Sequence, residues 1–284
     1  PNGNRYVGFD VYFAIYGTTR LVVVANNPTP GTWTAEVKAL TPLGNEAGNF
    51  LAFPDRVHEK ITAFFFDPPA IADIAGHPAR GAIEFALANG FMGLCGTGTF
   101  CPDQPVTRAQ FARGYTQFGA IRQSLPLGGG STFGDVSAAD KPFVEAVAAR
   151  GAALRDLGFR YNGVMEGGGT SWYPNGGIIR QHLAKMLVRG VGGEQAALDH
   201  TGDVTYLYNG QRYVIADQDQ IDPVLRGYVQ VAINSNMFNV FAEVVQGPYD
   251  LQPTLKFYFR PNANLTRADA AVAISRYHTQ YFAR

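Results

Sequence analysis

The chain has 284 residues, long enough for two or more hydrophobic cores, and its 46% hydrophobic and 16% charged residues describe an ordered, weakly charged globular protein. Its 23 basic and 23 acidic residues balance, with no block of either sign, which argues against nucleic acid as a partner because that binding needs concentrated positive charge. No apolar run reaches membrane-spanning length, Leu21–Ala25 and Ile61–Phe66 being strand-sized, so no membrane span is expected; Pro1 is no initiator, which predicts a trimmed start without a visible signal peptide.

Residues 1–53 read as β-rich. Tyr6–Tyr16 and Leu21–Ala25 favour strands, Asn26–Gly31 is a turn cluster, and Thr32–Val37 alternates with period two. Three short strands make a poor independent sheet, so this segment is expected to be the tail of a truncated β-sandwich. The run Pro30-Gly31-Thr32-Trp33-Thr34-Ala35-Glu36-Val37 resembles the closing strands of the β domains that follow the catalytic domain of secreted subtilisin-like proteases. That resemblance implies a possible catalytic domain N-terminal to this chain.

Helices are predicted from about residue 54, in three copies of one unit at 54–126, 127–197 and 198–284. Each copy opens on an aspartate: Asp73, Asp135 and Asp217. A first helix follows, with Ile83, Ala86 and Leu87 before Gly90, then Phe143, Val144, Val147 and Ala148 before Gly151, then Leu225, Tyr228, Val229 and Ala232 before Asn234. An aromatic, any residue, a proline and then an arginine recur as Phe100–Pro102–Arg108, Trp172–Pro174–Arg180 and Phe259–Pro261–Arg267, the arginine always six places after the proline. Fixed spacing within irregular flanks is an internal repeat, and a second helix is predicted to begin at each arginine. The connecting loop lengthens from copy to copy. In the third, Tyr206–Val214 reads as a hairpin turning at Asn209-Gly210, and Gly247–Asp250 turns a second one.

Cys95 and Cys101 are the two cysteines, in a glycine-rich loop. No histidine lies among them to complete a zinc site, and five intervening residues do not fit a thioredoxin-type pair, so a disulfide is favoured over two free thiols and no metal is expected. Such a bond suggests an oxidising, extracytoplasmic setting, and its loss is expected to loosen the loop from Gly93 to Pro102 more than the fold.

Asp73, Gly90, Phe100-Cys101-Pro102-Asp103 and Val106-Thr107-Arg108-Ala109-Gln110 closely resemble the S-layer homology repeat, and Leu265-Thr266-Arg267-Ala268-Asp269 after Phe259-Arg260-Pro261 matches as well. The family signature Thr-Arg-Ala-Glu stands here as Thr-Arg-Ala-Gln, as Ile179-Arg180-Gln181-His182 and as Thr-Arg-Ala-Asp, the middle copy diverging most. The resemblance covers roughly residues 60–284. It implies a mainly α fold with β insertions: three helix–loop–helix repeats in a pseudo-threefold assembly, preceded by the small β-rich segment. It also implies a non-catalytic, secreted, cell-surface anchoring module that binds acidic, often pyruvylated, cell-wall polysaccharide in grooves between prongs.

Physical chemistry divides the signature. Thr107 with Gln110, and Thr266 with Asp269, read as capping boxes worth ~1 kcal/mol each, a structural role, and the entry aspartates Asp73, Asp135 and Asp217 are likewise expected as helix-capping or structural residues. The arginines at the first helical position oppose the helix dipole, which invites a compensating anion. Free first-turn N–H groups and a guanidinium fork would hold a carboxylate, so Arg108 and Arg267 are expected as principal polysaccharide contacts and Arg180, beside the uncapping Ile179, as a weaker one. The bland alternative pairs each arginine with an entry aspartate, Asp73, Asp135 or Asp217. Phe100, Trp172 and Phe259 are expected as core plugs, with Trp172 the one exception that could stack on sugar.

Other motifs dissolve on inspection. Gly169-Thr170-Ser171 lacks the companion boxes of a subtilisin-like site, His58-Glu59 lacks a second histidine, and no P-loop, dinucleotide or Gly-x-Ser-x-Gly fingerprint occurs. No cofactor and no catalytic residue is expected. The rival to the anchoring module is an accessory fragment of a secreted protease, serving maturation, dimerisation or substrate capture.

Overall fold

The computed structural model describes residues 70–122, 124, 130–247 and 251–282; the β-rich segment at 1–53 lies outside them. Among these residues the helices are α1 (Arg80–Ala88), α2 (Arg108–Phe118), α3 (Lys141–Ala148), α4 (Arg180–Gly190), α5 (Glu194–Leu198), α6 (Arg226–Asn234) and α7 (Arg267–Phe282). The strands form two antiparallel hairpins, β1 (Thr205–Tyr208) with β2 (Gln211–Val214) and β3 (Phe241–Val245) with β4 (Thr254–Tyr258). The first turns at Asn209-Gly210, both left-handed at φ 48° and 79°, as a two-residue Asn-Gly hairpin requires.

Each helix buries the stripe its sequence supplies. α1 buries Ile83, Ala86 and Leu87, α3 buries Val144, Ala146 and Val147, and α6 buries Tyr228, Val229, Ala232 and Ile233. Full burial of one such aliphatic side chain is worth about 1.5–3 kcal/mol. The helices that share these faces are not all neighbours in the chain: α1 packs against α7, α3 against α2, and α6 against α4. The predicted stop of α6 also moves, because the helix runs through Asn234 and the left-handed residue that ends it is Asn236, at φ 53°. The short α5, packed on α6, was not foreseen; five residues carry too little periodicity to register.

The segments just before α2, α4 and α7 meet one another. Thr107 bridges Gly177, Ile179 bridges Asn264, and Pro105 bridges Thr266. Val106, Ile178 and Leu265, one residue before each N-cap, are all buried there. Further along, the Tyr115 hydroxyl of α2 donates to the Met186 carbonyl of α4 (2.9 Å). The Tyr277 hydroxyl of α7 donates to the Gly119 carbonyl (2.6 Å), and the two rings meet edge-on at 5.4 Å. The core therefore joins both sets of helices: α2, α4 and α7 meet through these groups, and α1, α3 and α6 add their buried faces to the same cluster.

Candidate functional site

The starts of α2, α4 and α7 each dock on an aromatic–x–proline loop from a distant part of the chain, and the docking is the same three times. The Arg108 and Ala109 N–H groups donate to the Gly176 and Pro174 carbonyls, at 2.9 Å each. Those of Arg180 and Gln181 donate to Ala263 and Pro261 (3.1 Å each), and those of Arg267 and Ala268 to Gln104 and Pro102 (2.8 and 3.0 Å). The third first-turn amide is capped locally. Thr107 and Gln110 close a capping box, Thr266 and Asp269 exchange the equivalent bonds at 3.1 Å, and the His182 N–H turns to the Ile179 carbonyl because isoleucine offers no cap.

The side chains follow the same path. Arg108 donates through Nε to the Trp172 carbonyl (2.9 Å) and through Nη2 to the Glu166 carbonyl (2.7 Å). Arg180 reaches the Phe259 and Asn239 carbonyls (2.8 and 2.9 Å), and Arg267 those of Phe100 and Gly93 (2.7 and 2.5 Å). Each guanidinium also lies over the aromatic ring of its loop, at 4.4 Å from Trp172, 5.0 Å from Phe259 and 4.5 Å from Phe100.

The entry aspartates hold the receiving loops rather than capping helices. Asp73 accepts from the Phe100 and Cys101 N–H groups (2.9 and 2.6 Å), Asp135 from Trp172 and Tyr173 (2.8 Å each), and Asp217 from Phe259 and Arg260 (2.9 and 2.7 Å). The middle residue of each loop is left-handed, Cys101 at φ 55°, Tyr173 at 59° and Arg260 at 57°. Such a bend turns successive N–H groups toward one concavity that suits an anion, and the carboxylate is that anion. It offsets a backbone cost of about 1–3 kcal/mol per non-glycine residue. The backbone N–H bonds hold the Asp135 carboxyl below its usual range; at Asp73 burial is the largest single influence and pushes upward, but the Phe100 and Cys101 N–H bonds together with the Arg267 charge outweigh it.

These contacts correct three expectations. The first-turn N–H groups are occupied by carbonyls and caps, so they are not free to receive an external carboxylate. The compensation for a cation at a helix start is internal: two carbonyls, a ring face, and at longer range the aspartate of the receiving loop, with no direct ion pair between these three arginines and Asp73, Asp135 or Asp217. Burial lowers the affinity of all three guanidinium groups for their protons, that of Arg180 to about 10.

Exposure also reorders the candidates. Arg267 is 3% exposed and Arg180 7%, so neither offers a face to a polymer, whereas Arg108 is only partly buried. Trp172 is wholly buried and cannot stack on a sugar. The exposed ring is its neighbour Tyr173, at 61%, which the left-handed backbone turns outward. Sequence reading missed it because adjacent aromatics give no sign of which one is buried. A Cβ built on Gly176 would lie 3.6 Å from Arg108 Cδ and 3.7 Å from Tyr173 Cβ, so the two side chains flank that glycine. His182 on α4 completes the surface: partial burial lowers its pKa, and the nearby positive charges of Arg108 and Lys185 lower it further.

Two other hollows are less suited to a ligand. A cleft of about 280 Å³ runs between residues 153–164 and 189–194. The charges on its floor are already matched. Arg189 forks onto Glu194 at 2.7 and 3.0 Å and bonds Glu166 at 2.8 Å, and the Tyr228 hydroxyl donates to Glu194. A shallower depression follows Asp73 and Cys101–Gln104; Cys95 and Cys101 lie beside Asp73 there, and their sulfurs are joined in a disulfide across a Cα–Cα distance of 6.0 Å.

Residues 70–112, from Ala70 into α2, match the S-layer homology domain, so the chain carries that domain there. No curated protein matches the chain. The domain is a cell-wall or surface anchoring module, characteristic of secreted, cell-surface or cell-wall-associated proteins, and it is non-catalytic. Among the described residues no helix is long and apolar enough to cross a membrane.

Proposed function

We propose that the chain is a cell-surface anchor in which three S-layer-homology-type repeats close into a pseudo-threefold ring, and that it binds an acidic cell-wall polysaccharide at the junction of Arg108 with Tyr173. The ring reading rests on the order of the arginine contacts: Arg108 reaches the second copy, Arg180 the third, and Arg267 the first. The site reading rests on one observation, the juxtaposition of Arg108 and Tyr173 on either side of Gly176, with the Tyr173 ring 61% exposed and His182 within reach of the Arg108 charge. An exposed aromatic beside a guanidinium suits a saccharide bearing carboxylates, such as pyruvyl groups, with the sugar face on Tyr173 and the acid toward His182 and the outer guanidinium edge of Arg108. Arg180 and Arg267 then serve as mortar.

Calorimetry with a purified acidic wall polysaccharide tests this. Tyr173→Ala removes the ring without touching the bonds that hold the loop, and binding is expected to weaken about tenfold, or roughly 1.4 kcal/mol. An anion near His182 stabilises its protonated form, so wild-type affinity is expected to rise as pH falls below the ordinary histidine value of about 6.5. Unchanged affinity in folded Tyr173→Ala removes the site assignment. No binding by wild type to any wall polysaccharide favours the protease-accessory role.

A further inference from the structure

The pairs of carbonyls that receive the three arginines are held together by different means. Glu166 and Trp172 flank a tight turn in which Gly168 and Ser171 exchange backbone bonds of 2.8 and 3.2 Å. Asn239 and Phe259 stand at the open end of the β3–β4 hairpin, whose register pairs Phe241 with Tyr258. Gly93 and Phe100, which receive Arg267, are joined by a glycine-rich loop with two backbone bonds of 3.0 and 3.4 Å between Cys95, Gly96 and Thr99, and by the Cys95–Cys101 disulfide. Only this receptacle carries a covalent tie among the described residues.

The tie sits where it bears on the contact. Cys101 directly follows Phe100, whose carbonyl accepts Arg267 Nε, and it precedes Pro102 and Gln104, whose carbonyls accept the first two amides of α7. Cys101 is also the left-handed residue of its loop, held there by Asp73. Cys95 is exposed and Cys101 partly so, leaving the bond open to a reductant from solvent.

We propose that the Cys95–Cys101 disulfide is a redox-sensitive clasp on the junction between α7 and the 91–104 segment, and that its reduction by an external dithiol loosens the first turn of α7 while the other two junctions hold. The step is thiol–disulfide exchange: the bond between Cys95 and Cys101 breaks to two thiols, and the dithiol's two sulfurs join, giving up two electrons and two protons. Without the bond, only non-covalent contacts oppose the relaxation of Cys101 from its left-handed state, chiefly the Asp73 carboxylate and the hydrogen bonds of the loop and of the Cys101–Gln104 turn, and the carbonyls of Phe100, Pro102 and Gln104 move with it.

Amide hydrogen exchange on the full chain reads each junction separately. The first two amides of a helix have no intrahelical acceptor, so protection at Arg267 and Ala268 comes from Gln104 and Pro102 alone. Arg108 with Ala109, and Arg180 with Gln181, serve as internal controls. With dithiothreitol, exchange at Arg267 and Ala268 is expected to quicken about tenfold or more, with the controls changing less than about twofold. Equal acceleration at all three pairs, or acceleration confined to residues 95–101, overturns the proposal. The Cys95→Ser/Cys101→Ser variant should reproduce the reduced pattern. Should it fail to fold, reduction and alkylation of the folded wild type gives the same reading.

Discussion

Replacing Arg267 with alanine separates mortar from ligand contact. The substitution removes two charged-donor hydrogen bonds, to Phe100 at 2.7 Å and Gly93 at 2.5 Å, and a guanidinium stacked 4.5 Å over the Phe100 ring. Bonds from a charged donor are worth roughly 1.5–3 kcal/mol each, and stacking on a buried ring about 1–2 kcal/mol. Against this stands the cost of burying the cation, which the alanine variant escapes, and burial does push this guanidinium's pKa down. The net expectation is a loss of about 3–5 kcal/mol, or on the order of 10 °C in melting temperature for a domain of this size. Urea unfolding followed by circular dichroism, with the slope checked for constancy, measures it. Arg108→Ala, at a partly buried copy of the same contact, should lose less. A loss under about 1 kcal/mol at Arg267 would refute the mortar role and return the buried arginines to the list of binding groups.

Two further perturbations follow from the same packing. A Cβ at Gly114 on α2 would overlap the Phe91 carbonyl, so Gly114→Ala should cost about 1–3 kcal/mol in chemical denaturation despite its better helix propensity; a stabilised variant would mean that the two segments are not in contact. Glu166 is pushed up by burial but held down more strongly by its bonds to Arg189 and Lys185, to about 2 from an ordinary 4.5. A carboxyl lowered on folding adds stability above its unfolded value and loses it as pH falls toward the folded one. Glu166→Gln should therefore narrow the stability gap to wild type between pH 4.5 and 2, and equal slopes for both proteins would show that the bonds do not hold the charge.

The helix starts were legible because arginine, proline and aromatic keep one spacing, and because Thr107 with Gln110 and Thr266 with Asp269 carry the capping pattern in their side chains. The disulfide was legible from two cysteines in one glycine-rich loop. The destination of the arginines was not. Their acceptors are backbone carbonyls, which every residue has, so nothing in the identity of Gly93, Glu166 or Asn239 marks them as partners. The aspartates were misread for the same reason: they hold backbone N–H groups 27 to 43 residues away, a contact without a side-chain signature. Trp172 and Tyr173 exchanged roles because burial was decided by one left-handed residue, which a tyrosine does not advertise as a glycine would.

The match at residues 70–112 covers both helix starts of one copy, yet the structure gives those helices their main partners elsewhere: α1 packs on α7, and α2 on α3. A unit recognisable in sequence is therefore not the unit that buries its own apolar stripe. In the proposed ring every copy both lends an arginine and receives one, so the first two amides of α2, α4 and α7 all find carbonyls in a receiving loop and each receiving loop finds a guanidinium. An open row of the same copies would leave one of each at its ends, with the associated desolvation penalties. Closure would remove those ends, and it would account for an arginine that opposes the helix dipole standing even at Arg180, where the N-cap is Ile179 and offers no side-chain cap. The arginine is retained by the loop it grips rather than by the helix it begins.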